Sequence, residues 1–375
     1  MINKEKILFY LYILVFITFP FGFLVTIGSD NGTRITVLDI LVILFVIASV
    51  FLGKVQKKVN FNKEIKLFLF ASLLTIALHV FINPTNSIYA SLLYFIRISL
   101  YFLFYIKSTA LFNKQSAITI NRVLFFAGYT LSIIGLIQYQ VYPDLRNLLY
   151  LGWDPHYYRL FSTLFDPNFA GIILVLTFFQ YLFLLKYRIN TRSKALDLIV
   201  LTVLLFSIYL TRSRSAYISL AAGLVFYVWL LKKISWKLIG LLIAALLIAN
   251  FLPKPPVDVF DLFRITSSVS RLNNWKQAFI EGINNPLIGV GFSKARFSDS
   301  SFLYVFASIG ILGIAAFINL WAKIVAFGLK KDKELTVISL TLIVSSFFNN
   351  TLFYPFVAVW FFAFLSSSVS RFSRR

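Results

Sequence analysis

Long apolar runs alternate with short polar gaps along almost the whole chain. Twelve runs can be marked, at about 6–28, 36–53, 66–82, 87–112, 122–142, 169–186, 195–211, 214–231, 235–252, 300–329, 335–349 and 350–366. A helix that crosses a bilayer needs about 20 mostly apolar residues. The pattern therefore predicts an all-α, polytopic transmembrane bundle of about twelve spans. Only Asn349-Asn350 divides the last two runs, and Thr211-Arg212-Ser213-Arg214 joins the seventh to the eighth. The first run follows Lys4 and Lys6 and shows no small-x-small cleavage pattern, so it is expected to stay as an anchor.

Two polar segments are longer than the rest, 143–168 and 253–299. The second lies between the ninth and tenth runs and opens on Pro253-Lys-Pro-Pro256. Within it Leu272, Trp275 and Phe279 recur at helical spacing, with Arg271, Asn274 and Lys276 elsewhere on the wheel. Asn285-Pro286 would stop such a helix. The spacing predicts an amphipathic helix over 270–282, on the outer membrane surface or folded over the bundle. Little chain remains for a separate soluble unit, so residues 1–375 read as one integral membrane domain. With 59% hydrophobic and 13% charged residues, composition agrees.

Charge then orients the bundle. The net charge of +22 does not indicate nucleic-acid binding, because no basic stretch forms a soluble module. Instead 23 of the 36 Lys and Arg fall in one alternating set of gaps and 11 in the other, mostly in the two long segments. Short basic loops stay in the cytoplasm. Both termini are therefore expected inside and both long segments outside. Arg97 and Lys323 fall within runs. The chain has no cysteine, which excludes thiolate metal sites.

Outward arginines work against the insertion bias, so the candidate chemistry is sought around them. Arg159 precedes Asp166-Pro167-Asn168. Asp166 and Pro167 suit a helix start, but Arg159 has no such explanation. Arg212 and Arg214 lie between two spans, either snorkelling or presenting forks that match phosphate bidentately. Arg271 sits beside the apolar stripe of the amphipathic helix, either solvated or tilted toward the bundle. Gly289 and Gly291 allow close backbone approach or mark an ordinary turn. Arg296 and Asp299 open the tenth span, as a pair or with Asp299 as its cap. Collected at one mouth, these arginines suit a lipid-linked sugar pyrophosphate, with Asp299 beside an acceptor hydroxyl.

At these residues the sequence resembles the O-antigen ligase and polymerase superfamily of bacterial membrane glycosyltransferases. The matching pieces are Arg159…Asp166-Pro-Asn168…Gly171, Ser213-Arg214-Ser215-Ala216, Arg271…Trp275 with Pro286…Gly289-Val-Gly291, and Asp299-Ser-Ser-Phe302…Gly310…Gly313. The resemblance implies a GT-C-like fold in the bacterial inner membrane and an active site on the periplasmic face. It implies an undecaprenyl-pyrophosphate-linked oligosaccharide as donor, an acceptor glycan or lipid A-core, and no metal or cofactor. Arg214 and Arg271 carry over as essential arginines, with Arg159 and Arg212 beside them. Asn168 and Arg296, near the same span ends, are expected as further substrate contacts. Ligases of the family place His-Asn where Asp299-Ser300 stands here, and neither His79 nor His156 matches. That departure tips the reading toward a polysaccharide polymerase, for which a chain-length regulator is a natural partner. A twelve-span flippase is the rival of another class, although no carboxylate relay for proton coupling is visible.

Overall fold

In a computed structural model of the chain, the structure describes residues 4–27, 34–53, 59–82, 87–185, 194–231, 240, 265–292 and 299–372. Among them are twelve α-helices: α1 Lys4–Ile17, α2 Val37–Leu52, α3 Asn62–Ile82, α4 Ser87–Leu111, α5 Lys114–Val141, α6 Pro167–Leu185, α7 Lys194–Leu210, α8 Arg214–Leu231, α9 Ile265–Asn284, α10 Ser301–Lys331, α11 Lys333–Phe348 and α12 Pro355–Phe372. Seven of these (α3 to α6, α8, α10 and α12) are long and apolar enough to cross a membrane. The chain is thus an all-α, polytopic membrane protein. The run expected at 235–252 lies outside the described residues except for Gly240.

Helix α12 is buried along nearly its whole length and packs against α4 and α5. Helix α6 is almost as enclosed. A helix that is apolar all round belongs inside a bundle, and these two form its core. The outer helices turn large apolar side chains outward, among them Leu44, Ile47 and Phe51 on α2 and Phe70 and Phe81 on α3. Lipid is the solvent that suits such a surface. At one end of the bundle Arg371 of α12 donates to Asp332 and Glu334 at the α10–α11 junction, at 2.6 and 3.0 Å. Ser368 donates to the same Asp332 carboxylate.

The first run is shorter than its hydropathy suggests. Helix α1 stops at Ile17, and Phe19–Phe21 form a 3₁₀ turn ending at Gly22 with φ 54°. Pro20 cannot continue the helix ladder. A side chain at Gly22 would strike the Thr163 carbonyl, so the chain turns there and pairs Thr26–Ile27 with Ile35–Thr36. Thr36 and Asp39 then form a capping box for α2. The Asn349-Asn350 break is real, with a 3₁₀ turn at Thr351–Phe353 before α12.

Helix α10 is broken at Gly310, where φ is 73° and ψ −161°. The segment after α9 fills the break. Val290 N–H donates to the Ala307 carbonyl (2.7 Å), and Ile311 N–H to the Pro286 carbonyl (2.7 Å). The paired glycines therefore serve close approach to a neighbouring helix: a Cβ at Gly289 would lie 2.4 Å from the Ala307 oxygen. His79 of α3 is buried and hydrogen-bonded to the Gly289 carbonyl at 3.0 Å. Gly310→Ala would force a side chain into a backbone region nearly reserved for glycine and against Leu287. It should cost about 3 kcal/mol or more, read as a lower unfolding temperature in detergent.

Candidate functional site

The segment between α5 and α6 is folded down onto the bundle. The Asp144–Tyr157 bridge closes it, with Leu145 N–H donating to the His156 carbonyl at 2.8 Å. Gln138 of α5 accepts from the N–H groups of Phe161 and Ser162, both at 3.0 Å. The Thr163 hydroxyl donates to the Pro20 carbonyl and Tyr354 to the Leu164 carbonyl. Phe169 stacks on Tyr354 with ring centroids 3.7 Å apart. Ends of α1, α5, α6 and α12 thereby share one floor.

Arg159 lies in that floor, only 4% exposed. Its Nε donates to the Thr211 carbonyl at 2.9 Å and its Nη2 to the Arg212 carbonyl at 3.3 Å. Its Nη1 meets His156 Nδ1 at 3.3 Å. Arg159 thus fixes the α7–α8 turn, where Arg212 takes a left-handed φ of 50° and lays its guanidinium 3.9 Å over the Tyr209 ring. Arg214 is the first residue of α8 and is half-buried.

A chain of polar side chains crosses the same floor. Ser213 Oγ donates to Asn168 Oδ1 (2.8 Å) and lies 3.0 Å from Ser215 Oγ, to which Asn349 Nδ2 donates at 2.7 Å. Ser301 continues it, donating to the Asn349 carbonyl and accepting from Leu352 N–H. Helices α6, α8, α10 and α11 are bound together in this way. Ser300, rather than Asp299, caps α10. Asp299 is left to accept from Asn274 Nδ2 at 3.0 Å, while Trp275 Nε1 donates to its carbonyl at 3.3 Å. Both donors sit on α9, one turn beyond Arg271. That helix is longer than the spacing predicted and ends just before Asn285-Pro286. Arg296, expected beside Asp299, lies outside the described residues.

Two further acids enter the site from the folded segment. Partial burial raises the Asp154 carboxyl, although the residue stays exposed; Asp299 adds to the rise and Arg159 opposes it. Burial also raises Asp166 to about 6, although its carboxylate caps α6 by accepting from Asn168 N–H at 2.6 Å. Asp154, His156 and Asp166 each offer one ligand atom, all within 4.8 Å of one another. Such a set is of the kind that can hold a divalent cation. Folded Asp166 binds its proton more tightly than the unfolded chain, so between about pH 4 and 6 the folded state holds more protons. Stability should therefore fall as pH rises through that window, by roughly 3 kcal/mol for this group. Asp166→Asn should flatten that part of the unfolding-temperature profile.

Of the candidate residues, Arg159 donates to the Arg212 carbonyl, Asn168 accepts from Ser213 in the same turn, and Asp299 and Arg159 act through charge on Asp154. The sequence marks Asp166 as a helix cap and gives His156 no role. The three-residue spacing of His156 and Arg159 was the available signal for that contact. Asp154 and Asn349 carried no sequence signal beyond their polarity near a span end.

The molecule is an all-helical, polytopic membrane protein with an arginine-rich polar site at one end of its bundle. Residues 198–318, less than half of the chain, match the O-antigen ligase family (Wzy_C). Over that segment the chain is similar to that family. The match includes Arg212, Arg214, Arg271 and Asp299, whereas Arg159 and Asn168 precede it. No curated protein matches the chain.

Proposed function

We propose that this protein is a glycosyltransferase of about twelve spans with a GT-C-like arrangement. It moves an undecaprenyl-pyrophosphate-linked glycan onto an acceptor sugar at the outer face of the inner membrane. Both termini lie in the cytoplasm, and 143–168 and 253–299 are external loops. The observation that carries this reading is that Arg159 binds the turn of Arg212, that Arg159 and Asp299 both act on Asp154, and that Arg214 opens α8 while Arg271 lies one turn before the Asn274 that holds Asp299. Arg214 and Arg271 hold the donor pyrophosphate and stabilise the charge that grows on it as the anomeric carbon–oxygen bond breaks. Arg159 positions the turn that carries Arg212. Asp299, oriented by Asn274, directs or deprotonates the incoming hydroxyl, whose in-line attack inverts the anomeric centre. The pyrophosphate leaves with its lipid.

Transfer without a metal fits the local chemistry, since Arg159 already brings a cation to His156 and Asp166 is engaged at the α6 N-terminus. Transfer by the reconstituted protein should be unchanged in EDTA, and loss of activity would refute this point. Polymerisation of a surface polysaccharide is favoured over ligation because Asp299-Ser300 stands in place of the ligase His-Asn. A gel of surface glycan from a deletion strain tests the assignment. A single repeat on the core marks a polymerase, and unattached lipid-linked polymer with bare core marks a ligase. Movement of intact lipid-linked sugar across proteoliposomes, without polymer, would instead establish a flippase.

A further inference from the structure

Arg97, an arginine inside a span, takes no part in the site above. Charged groups at such positions are costly and tend to serve function. Arg97 lies ten residues into α4 and meets Asp39, in the first turn of α2, at 3.1 Å. Its Nη2 also donates to the Arg34 carbonyl. Asp39 is fully engaged. One carboxylate oxygen accepts from Thr36 N–H and Thr36 Oγ1, both at 2.9 Å, and from Arg97, while the other accepts from Tyr101 at 2.5 Å. A guanidinium has five N–H groups. The two acceptors named take those of Nη2, and no described residue accepts from Nε or Nη1.

Arg97 lines a cavity of about 170 Å³ between α2 and α4. Its walls are Ile35, Ile43, Leu93, Ile96 and Leu100, with Tyr94 and Tyr101 beside the charges. Ile35, Leu93 and Ile96 are about half exposed, so the groove opens outward, onto the lipid-facing surface of the bundle. An apolar cavity of about 150 Å³ holds a molecule the size of benzene, so this one takes a stretch of hydrocarbon rather than a whole lipid. The remaining polar demand is for an acceptor only. An anionic oxygen attached to a hydrocarbon chain satisfies both halves. Arg97 also stands level with the first turn of α2 and with Arg34, where the chain leaves the helical layer and a headgroup can reach it.

We propose that this groove binds an anionic phospholipid of the surrounding bilayer, with an acyl chain between α2 and α4 and its phosphate on Arg97. The site is separate from the transfer site and does not depend on the glycosyltransferase reading. The test uses the full-length protein in phosphatidylcholine nanodiscs containing traces of phosphatidylglycerol or phosphatidylcholine with a diazirine in the acyl chain. Phosphatidylglycerol should label peptides of α2 and α4 about tenfold more than phosphatidylcholine does: both offer the phosphate oxygens, but choline sets a fixed cation close to the Arg97 guanidinium, a like-charge cost of about one decade of affinity. Arg97→Gln should remove that preference. Breaking a buried ion pair can unfold a protein, so Ile43→Trp, which fills the groove and leaves Arg97 and Asp39 in place, should reduce labelling by a similar factor. Equal labelling by the two lipids, or wild-type labelling of Ile43→Trp, would overturn the proposal. So would displacement of the phosphatidylglycerol probe by equimolar farnesyl phosphate but not by unlabelled phosphatidylglycerol, which would make the occupant an isoprenoid.

Discussion

Replacing Arg214 or Arg271 by lysine should lower glycan transfer about 100-fold or more while the protein remains folded. Lysine keeps the positive charge, so an effect of charge alone would leave most of the activity. What lysine loses is the planar fork that meets two phosphate oxygens at once. Pyrophosphate gains charge as it departs, and donors held in place for that charge favour the transition state over the bound donor. The loss should therefore fall chiefly on kcat rather than on KM. Polymer formation from a lipid-linked donor in proteoliposomes measures it. Arg146→Lys is the control, because Arg146 is exposed and already paired with Asp144 at 2.8 Å. Full transfer by Arg214→Lys and Arg271→Lys would remove the bidentate mechanism.

Arg159→Ala should damage both fold and activity. Its guanidinium gives two hydrogen bonds to the backbone of the α7–α8 turn and meets His156, all within a nearly closed site. Hydrogen bonds from charged groups contribute about 1.5–3 kcal/mol each, so the loss should be about 3 kcal/mol or more. Unfolding temperature in detergent reads that loss. A second reading separates positioning from stability. At a temperature well below the unfolding of the variant, kcat should stay depressed, because the left-handed Arg212 is no longer fixed. Arg159→Lys should recover part of the stability but little of the rate. A variant that regains full kcat once it is kept cold would make Arg159 purely structural.

The positions of most described helices were legible because lipid imposes one rule on length and hydropathy, although seven of them are long and apolar enough to span. One departure is instructive. The first run looks continuous to Ile27, yet Pro20 and Gly22 end it early, since Gly22 must pass against Thr163 in a distant segment. The helix over 265–284 could be read from Leu272, Trp275 and Phe279 because it keeps one side apolar. At the site, Arg159 drew notice because nothing local accounted for it. Its partners are carbonyl oxygens of Thr211 and Arg212, and carbonyls are the same in every residue. The Asn168–Ser213–Ser215–Asn349 relay was hidden for a related reason. Short hydroxyl and amide side chains are common near span ends, and only helix packing decides which of them meet.

The break in α10 bears on how the protein enters the bilayer. A continuous helix reaches hydrocarbon with its amides already satisfied, whereas Ala307 and Ile311 depend on Val290 and Pro286 for theirs. The stretch of α10 around Gly310 would carry naked peptide groups if it slid into lipid before the preceding chain had docked. Biogenesis should therefore proceed with these two pieces as a single hairpin-like unit. Stalled nascent chains that contain α10 but carry a scrambled 286–291 sequence should linger at the insertion machinery instead of partitioning into the membrane.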